Sequence, residues 1–289
     1  MIRTKLAAAL LTAALLTGFS SVGIAKEFRS SDTHPIDYPT VQAVIYMGKL
    51  IEQRSGGKHS IKMFPSAQLG QEKDTIEQTK FGALDLNRVN LAPFNNIVPE
   101  TVVTGLPFVF RSVEHMRKVV DGPIGDDILK AFEPHGYVGL AFYDSGARSF
   151  YNSKKPINNL EDIKGMKIRV IQSDLFVDMV KALGANPTPM PFGEVYTSLK
   201  TGVIDGAENN WPSYESTKHF EVAKYYSLDE HSMSPEVLVM SKKVFDALSP
   251  DEQKLFRQAA KDSVAEMRKL WDAREQKSEA IVRAGGAVV

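Results

Sequence analysis

Along most of the chain, short apolar runs of period two alternate with stretches of period near 3.6, the pattern of an α/β fold whose sheet is largely parallel. Residues 38–53 predict a first helix with Val41, Ile45 and Leu50 inward and Gly56–Gly57 closing it, preceded by a strand before His34 and followed by a strand over 61–64. A helix over 71–81 is halted by Gly82, and 84–90 reads as a strand. Helices over 113–120 and 126–132 flank a break at Gly122-Pro123. A buried strand over 137–143 runs into Asp144-Ser145-Gly146, a turn signal at which the chain is expected to leave its first domain. A second α/β unit follows, with strands at 148–152 and 167–171 and helices at 174–183 and 194–200. The first of these helices has Ser173 as N-cap and Gly184 past its end. Residues 235–240 return as a strand into the first sheet, which gives the expected division: 1–25 a leader, 26–145 with 235–289 the first domain, 146–234 the second.

Ser249 and Glu252 form a capping box with Pro250 at the first helical position. Phe256, Ala260, Val264, Met267 and Trp271 then share one face of a helix running to about Arg283. Coiled-coil pairing is the competing reading, but the stripe is uneven and lacks sustained heptads, so the pattern predicts a long helix lying on a surface.

The first 25 residues change the setting. Arg3 and Lys5, an apolar core from Leu6 to Leu16, and the small residues Gly23 and Ala25 read as a secretory leader cut before Lys26, which places the mature chain in the periplasm. A retained anchor is the alternative, yet a core of about 11 residues is too short to span roughly 30 Å of hydrocarbon. With no cysteine the fold must rest on its core rather than on disulfides. The chain has 35 basic and 35 acidic residues, and losing Arg3 and Lys5 leaves a slight acidic excess, which argues against nucleic acid as partner.

Catalytic and metal signatures are missing. The six histidines never form an i, i+4 pair, so no metal is expected. Tyr143 stands where a G-x-S-x-G elbow around Ser145 needs its first glycine, and no glycine-rich loop leads into Lys-Ser or Lys-Thr. Asp126 and Asp127 point about 100° apart on a helix and read as a solvated first-turn pair.

The chemistry that is present centres on residues 164–211. In the strand KIRV, Met166, Ile168 and Val170 alternate with Lys167 and Arg169, so Arg169 leaves the sheet on the opposite face, with a planar donor fork suited to a carboxylate. A surface arginine in an ordinary ion pair is the plain alternative. Its company weighs against that: a G-x-R segment ending at Arg148, K-x-R-V over 167–170, F-x-E-V-Y over 192–196 and D-G-x-E-N over 205–209, in this order, resemble the extracytoplasmic solute receptors of TRAP transporters, from about Phe28 to the C-terminus. The resemblance implies a two-domain periplasmic binding protein with an interdomain cleft and a long C-terminal helix bridging both domains. It implies no cofactor, and as partners an organic acid and the membrane subunits of the transporter. A monomer is the default expectation. By the same resemblance Arg169 is the carboxylate clamp, Arg148 a second charge beside it, Asn209 a fixed amide and Phe192 an apolar wall, against simple core packing for Phe192.

Other candidates rest on position. His34 follows the first strand, Glu72 opens a helix and Asn90 ends a strand, where α/β sheets place ligands. Each also has a structural reading: a turn residue before Pro35, an acid favouring its helix dipole, a loop cap. Trp211 and Tyr214 either stack on a sugar or fill the space under Pro212. The expected ligand is a hexuronate, glucuronate or galacturonate, because one carboxylate satisfies Arg169 and Arg148 while a second would meet Glu72, and because ENNWPSYEST resembles the sugar-acid branch of the family. Other organic acids, a receptor for an ATP-driven importer, and a secreted hydrolase or isomerase using Glu72 or His34 as base are the rivals. The crossings near Ser145 and Ser234, with the helix after Ser249, are the expected hinges.

Overall fold

The computed structural model describes residues 25–289, and the leader expected over 1–25 falls, save its last residue, outside the described residues. Ten strands form two sheets: β1 (Lys26–Ser31), β2 (His59–Phe64), β3 (Leu86–Asn90), β4 (Tyr137–Tyr143), β5 (Arg148–Asn152), β6 (Lys167–Val170), β7 (Asn186–Pro189), β8 (Gly206–Asn209), β9 (Tyr225–Ser232) and β10 (Glu236–Ser241). The first sheet has the order β2-β1-β3-β10-β4 and the second β7-β6-β8-β5-β9. Helices cover the sheets, so the class is α/β as the alternation predicts, and the long helix Pro250–Ala284 begins at the Ser249–Glu252 capping box. Among the described residues no helix is long and apolar enough to cross a membrane.

Each sheet is largely parallel, with one reversed strand. β10 runs antiparallel to both β3 and β4, and β5 antiparallel to both β8 and β9. The reason is a double crossing. Only residues 144–147 separate β4 from β5 and only 233–235 separate β9 from β10, yet each pair is divided between the two sheets. The apolar run of β10, buried throughout, thus completes a sheet begun far upstream.

Two strands escape the hydrophobic pattern, and both lie at sheet edges. β7 reads Asn-Pro-Thr-Pro, and proline, lacking an N–H, is tolerated only where one side of the strand has no partner. β9 carries Asp229, Glu230 and His231 and buries only part of its length, so its alternation is broken. Two smaller expectations are corrected. The helix expected from Asp126 starts at Pro123, with Gly122 as N-cap, because proline fits the first helical position. Ser173 precedes its helix but caps nothing: its hydroxyl donates to Asn95 Oδ1 at 2.7 Å, tying the second half of the chain to the first.

The apolar stripe of the long helix explains its place. Phe256, Ala260, Met267 and Trp271 pack with Phe28, Val44, Met47 and Leu238 in the core of the first sheet. Val282 joins Tyr151, Tyr214 and Tyr226 in that of the second. One helix therefore buries surface in both halves.

Candidate functional site

The reversed strands decide where side chains converge. Parallel strands bring their last residues to one edge of each sheet, and antiparallel strands bring their first residues there: Asn90 ends β3 and Asn209 ends β8, while Arg148 opens β5 and Glu236 opens β10. Together with His34 beyond β1, Glu72 at a helix start, Arg169 on β6 and Phe192, these residues line one narrow cavity.

Three arginines reach it, and they differ in what they hold. Arg148 is neutralised by Glu208: Nε donates to Oε2, and Nη2 to Oε1 at 2.9 Å, while Nη1 donates to Asn209 Oδ1 at 3.0 Å. Burial pushes the Glu208 carboxyl up, but Arg148 and His231 outweigh it and hold it at about 2. Arg148 thus lines the cavity with its charge already matched by a carboxylate of the protein. Arg88, which the hydrophobic pattern hides inside β3, is 1% exposed, pairs with Asp32 through Nε (2.7 Å) and Nη2, and reaches Glu236 through Nη1 at 2.6 Å. Arg169 alone is different. Its Nε and Nη2 donate to the Met190 carbonyl at 3.1 and 2.9 Å, and among the described residues no carboxylate lies within ion-pair distance of it. Burial pulls its pKa down, the consequence of a guanidinium out of water without a counter-ion at contact. The Phe192 ring centre is 5.9 Å from its guanidinium carbon, so Phe192 forms a cavity wall.

The neutral groups are oriented by the same network. Asn209 Oδ1 also accepts the Asn210 backbone N–H at 2.9 Å, which leaves its Nδ2 uncommitted. His34 stacks on Tyr38 at 3.7 Å, and its Nδ1 is buried without a partner. Burial, then Arg88 and Arg148, hold it well below the usual imidazole range, hence uncharged. Tyr38 in turn shares a hydrogen bond of 2.9 Å with Ser213, another lining residue. Glu72 Oε1 accepts the Asn90 backbone N–H at 2.9 Å, and burial pushes its carboxyl up to about 7 against the pull of Arg88. Asn90 itself lines the cavity, but its amide is engaged by Glu236 at 3.2 Å, Ala92 at 3.0 Å and Ser234.

Trp211 does not join them. It stacks on Tyr226 at 4.0 Å within the core of the second sheet, and the Arg283 guanidinium carbon lies 5.8 Å from its ring centre. Asn210 caps the helix Trp211–Ser216 and Pro212 follows, so the chain turns there and packs the indole inward. Trp211→Ala should cost roughly 3–5 kcal/mol of stability in denaturant melts while changing ligand affinity less than about threefold. A large affinity loss in a fully folded variant would return the indole to the site.

Asp32, Arg88, Glu208 and Glu236 were missed by reading the sequence. A signal existed for two: Arg88 interrupts the buried run LNRVN and Glu208 sits inside the buried β8, and a charge within a buried strand demands a partner.

Residues 30–289 match the model of the family described as bacterial extracellular solute-binding protein, family 7. A solute-binding protein of Chromohalobacter salexigens is 42% identical, over 96% of this chain and 84% of its own. Among solved structures, a TRAP periplasmic solute-binding protein from a Bradyrhizobium species in complex with α/β-D-galacturonate is 65% identical, with a TM-score of 0.91 over 91% of this chain and 88% of that one. Another, from Pseudomonas putida with bound D-glucuronate, is 44% identical, with a TM-score of 0.89 over 91% and 86%.

Proposed function

Since the chain belongs to the bacterial extracellular solute-binding proteins of family 7, we propose that it is the periplasmic receptor of a TRAP transporter and that its solute is a hexuronate, D-galacturonate or D-glucuronate. The observation that carries the choice of ligand is the count of unpaired arginines. Arg88 and Arg148 hold protein carboxylates, and Arg169 holds only a carbonyl, so the cavity calls for one carboxylate and no more. With Nε engaged by Met190, the Nη1–Nη2 edge of Arg169 is the one open to a bidentate acid. Asn209 Nδ2, His34, Ser213 and Glu72 supply the hydrogen-bonding groups that several hydroxyls need. The bound hexuronates of relatives at 65% and 44% identity support the same reading.

A C4-dicarboxylate fits less well, because its second carboxylate enters beside Glu236 with no free guanidinium to receive it. The receptor performs no covalent chemistry: it is exported by its leader, binds as a monomer, closes about the crossings at 144–147 and 233–235, and delivers its solute to the membrane subunits.

A thermal-shift panel of uronates, aldonates, C4-dicarboxylates, 2-oxoacids and sialic acid tests the assignment. A hexuronate at 100 times its dissociation constant should stabilise by about 2.7 kcal/mol. For a chain of this size that is roughly 5–10 °C. Stabilisation by succinate or malate with none by either uronate would overturn it.

A further inference from the structure

Beside the cavity, three carboxylates close on a single guanidinium. Asp32 binds Nε and Nη2 of Arg88, Glu236 lies 2.6 Å from its Nη1, and Glu72 lies 3.8 Å from the same nitrogen. One buried guanidinium faces three acids, Asp32 and Glu236 buried and Glu72 about 16% exposed, and like charges so crowded do not all stay ionised. The hydrogen bonds decide which acid carries the proton. Asp32 accepts Arg88 on both oxygens, and also the His34 N–H at 2.8 Å and the Thr40 hydroxyl at 2.9 Å. Glu236 accepts Arg88 on one oxygen and the Asn90 amide at 3.2 Å on the other. Both acids thus have a donor on each oxygen, and at Asp32 these donors and Arg88 work against the burial that raises its carboxyl. Glu72 has one donor, the Asn90 backbone N–H on Oε1, and among the described residues none reaches its Oε2.

The other groups facing Glu72 do not supply the missing charge. Arg148 is tied to Glu208, and His34 is neutral. Lys73 and Asp74 on its own helix are exposed. Arg169 is the weakest of the influences acting on Glu72, and on the hexuronate reading it is taken by the ligand carboxylate. Resting on that reading, we infer that Glu72 stands in the closed site as the neutral acid and donates its proton to a hydroxyl of the sugar, so that ligand capture takes up a proton.

The raised carboxyl pKa of about 7 agrees with this. In an opened, wetted cleft the same group returns to the ordinary value of about 4.3. The sign follows: a group whose pKa rises on closure contributes affinity in full below the open-cleft value, and that contribution is lost as pH rises through the closed-cleft value.

Isothermal calorimetry of D-galacturonate in buffers of different ionisation enthalpy, from pH 5.5 to 8, counts the protons. The wild type should take up close to one proton per ligand near pH 5.5–6, falling to about half a proton at pH 7, with a dissociation constant that weakens by up to tenfold per pH unit over that range. Glu72→Gln, which keeps the size and a donor, should bind with no uptake and a flat pH profile. Tight wild-type binding without uptake, or uptake that persists in Glu72→Gln, overturns the inference and leaves the hexuronate reading standing. Absence of binding by either uronate at every pH removes that reading, and the inference with it. Should Glu72→Gln fail to bind, the wild-type proton count decides alone.

Discussion

Arg169→Ala is expected to weaken hexuronate binding by about 30-fold to several thousandfold, because removing one member of a buried charge pair costs roughly 2–5 kcal/mol. The ligand-free protein should be no less stable than the wild type. Arg169 donates only to the Met190 carbonyl and stands buried without a counter-ion at contact, so alanine removes a desolvated charge along with two hydrogen bonds. Arg169→Lys should recover part of the affinity, since an ammonium keeps the charge but not the two-pronged geometry. Calorimetry on the three proteins, with unfolding curves alongside, measures both halves of the statement. A change below about threefold for alanine would remove Arg169 from the clamp position.

Arg88→Leu should act on the other quantity. Removing this guanidinium leaves Asp32 and Glu236 as buried carboxylates without their cation, and breaking such a pair from one side destabilises by roughly 3–5 kcal/mol. For a chain of this size that lowers the melting temperature by about 10 °C. The loss should shrink on acidification. With Arg88 gone, burial raises both carboxyls above their unfolded values, so the folded state regains stability as pH falls toward that range and they protonate. Denaturant unfolding of both proteins at pH 7 and pH 5 tests this, and an equal deficit at the two values would show that lost packing rather than stranded charge is responsible.

The contrast between these arginines shows where reading the sequence stops. The α/β alternation, the capping box of the long helix and its buried stripe were legible because they are local: turn chemistry and periodicity act within a few residues. The edge strands β7 and β9 were not, because their stability comes from the neighbour strand rather than from their own prolines and charges. Arg169, Asn209, Phe192, His34, Glu72 and Asn90 were found as a set, and the structure does bring them around one cavity.

What each of them holds was decided only by the tertiary structure. Sequence spacing places Arg148 and Arg169 near one another but carries no information on counter-ions. Glu208 neutralises the first from the neighbouring strand, and among the described residues no carboxylate reaches the second. Trp211 looks like a sugar platform beside Asn209 until the chain turn at Asn210 packs it onto Tyr226. Periodicity records which face of an element is buried. Partnership between charges depends on residues 56, 60 and 148 positions apart meeting in space, and that is set by how two sheets and a double crossing assemble.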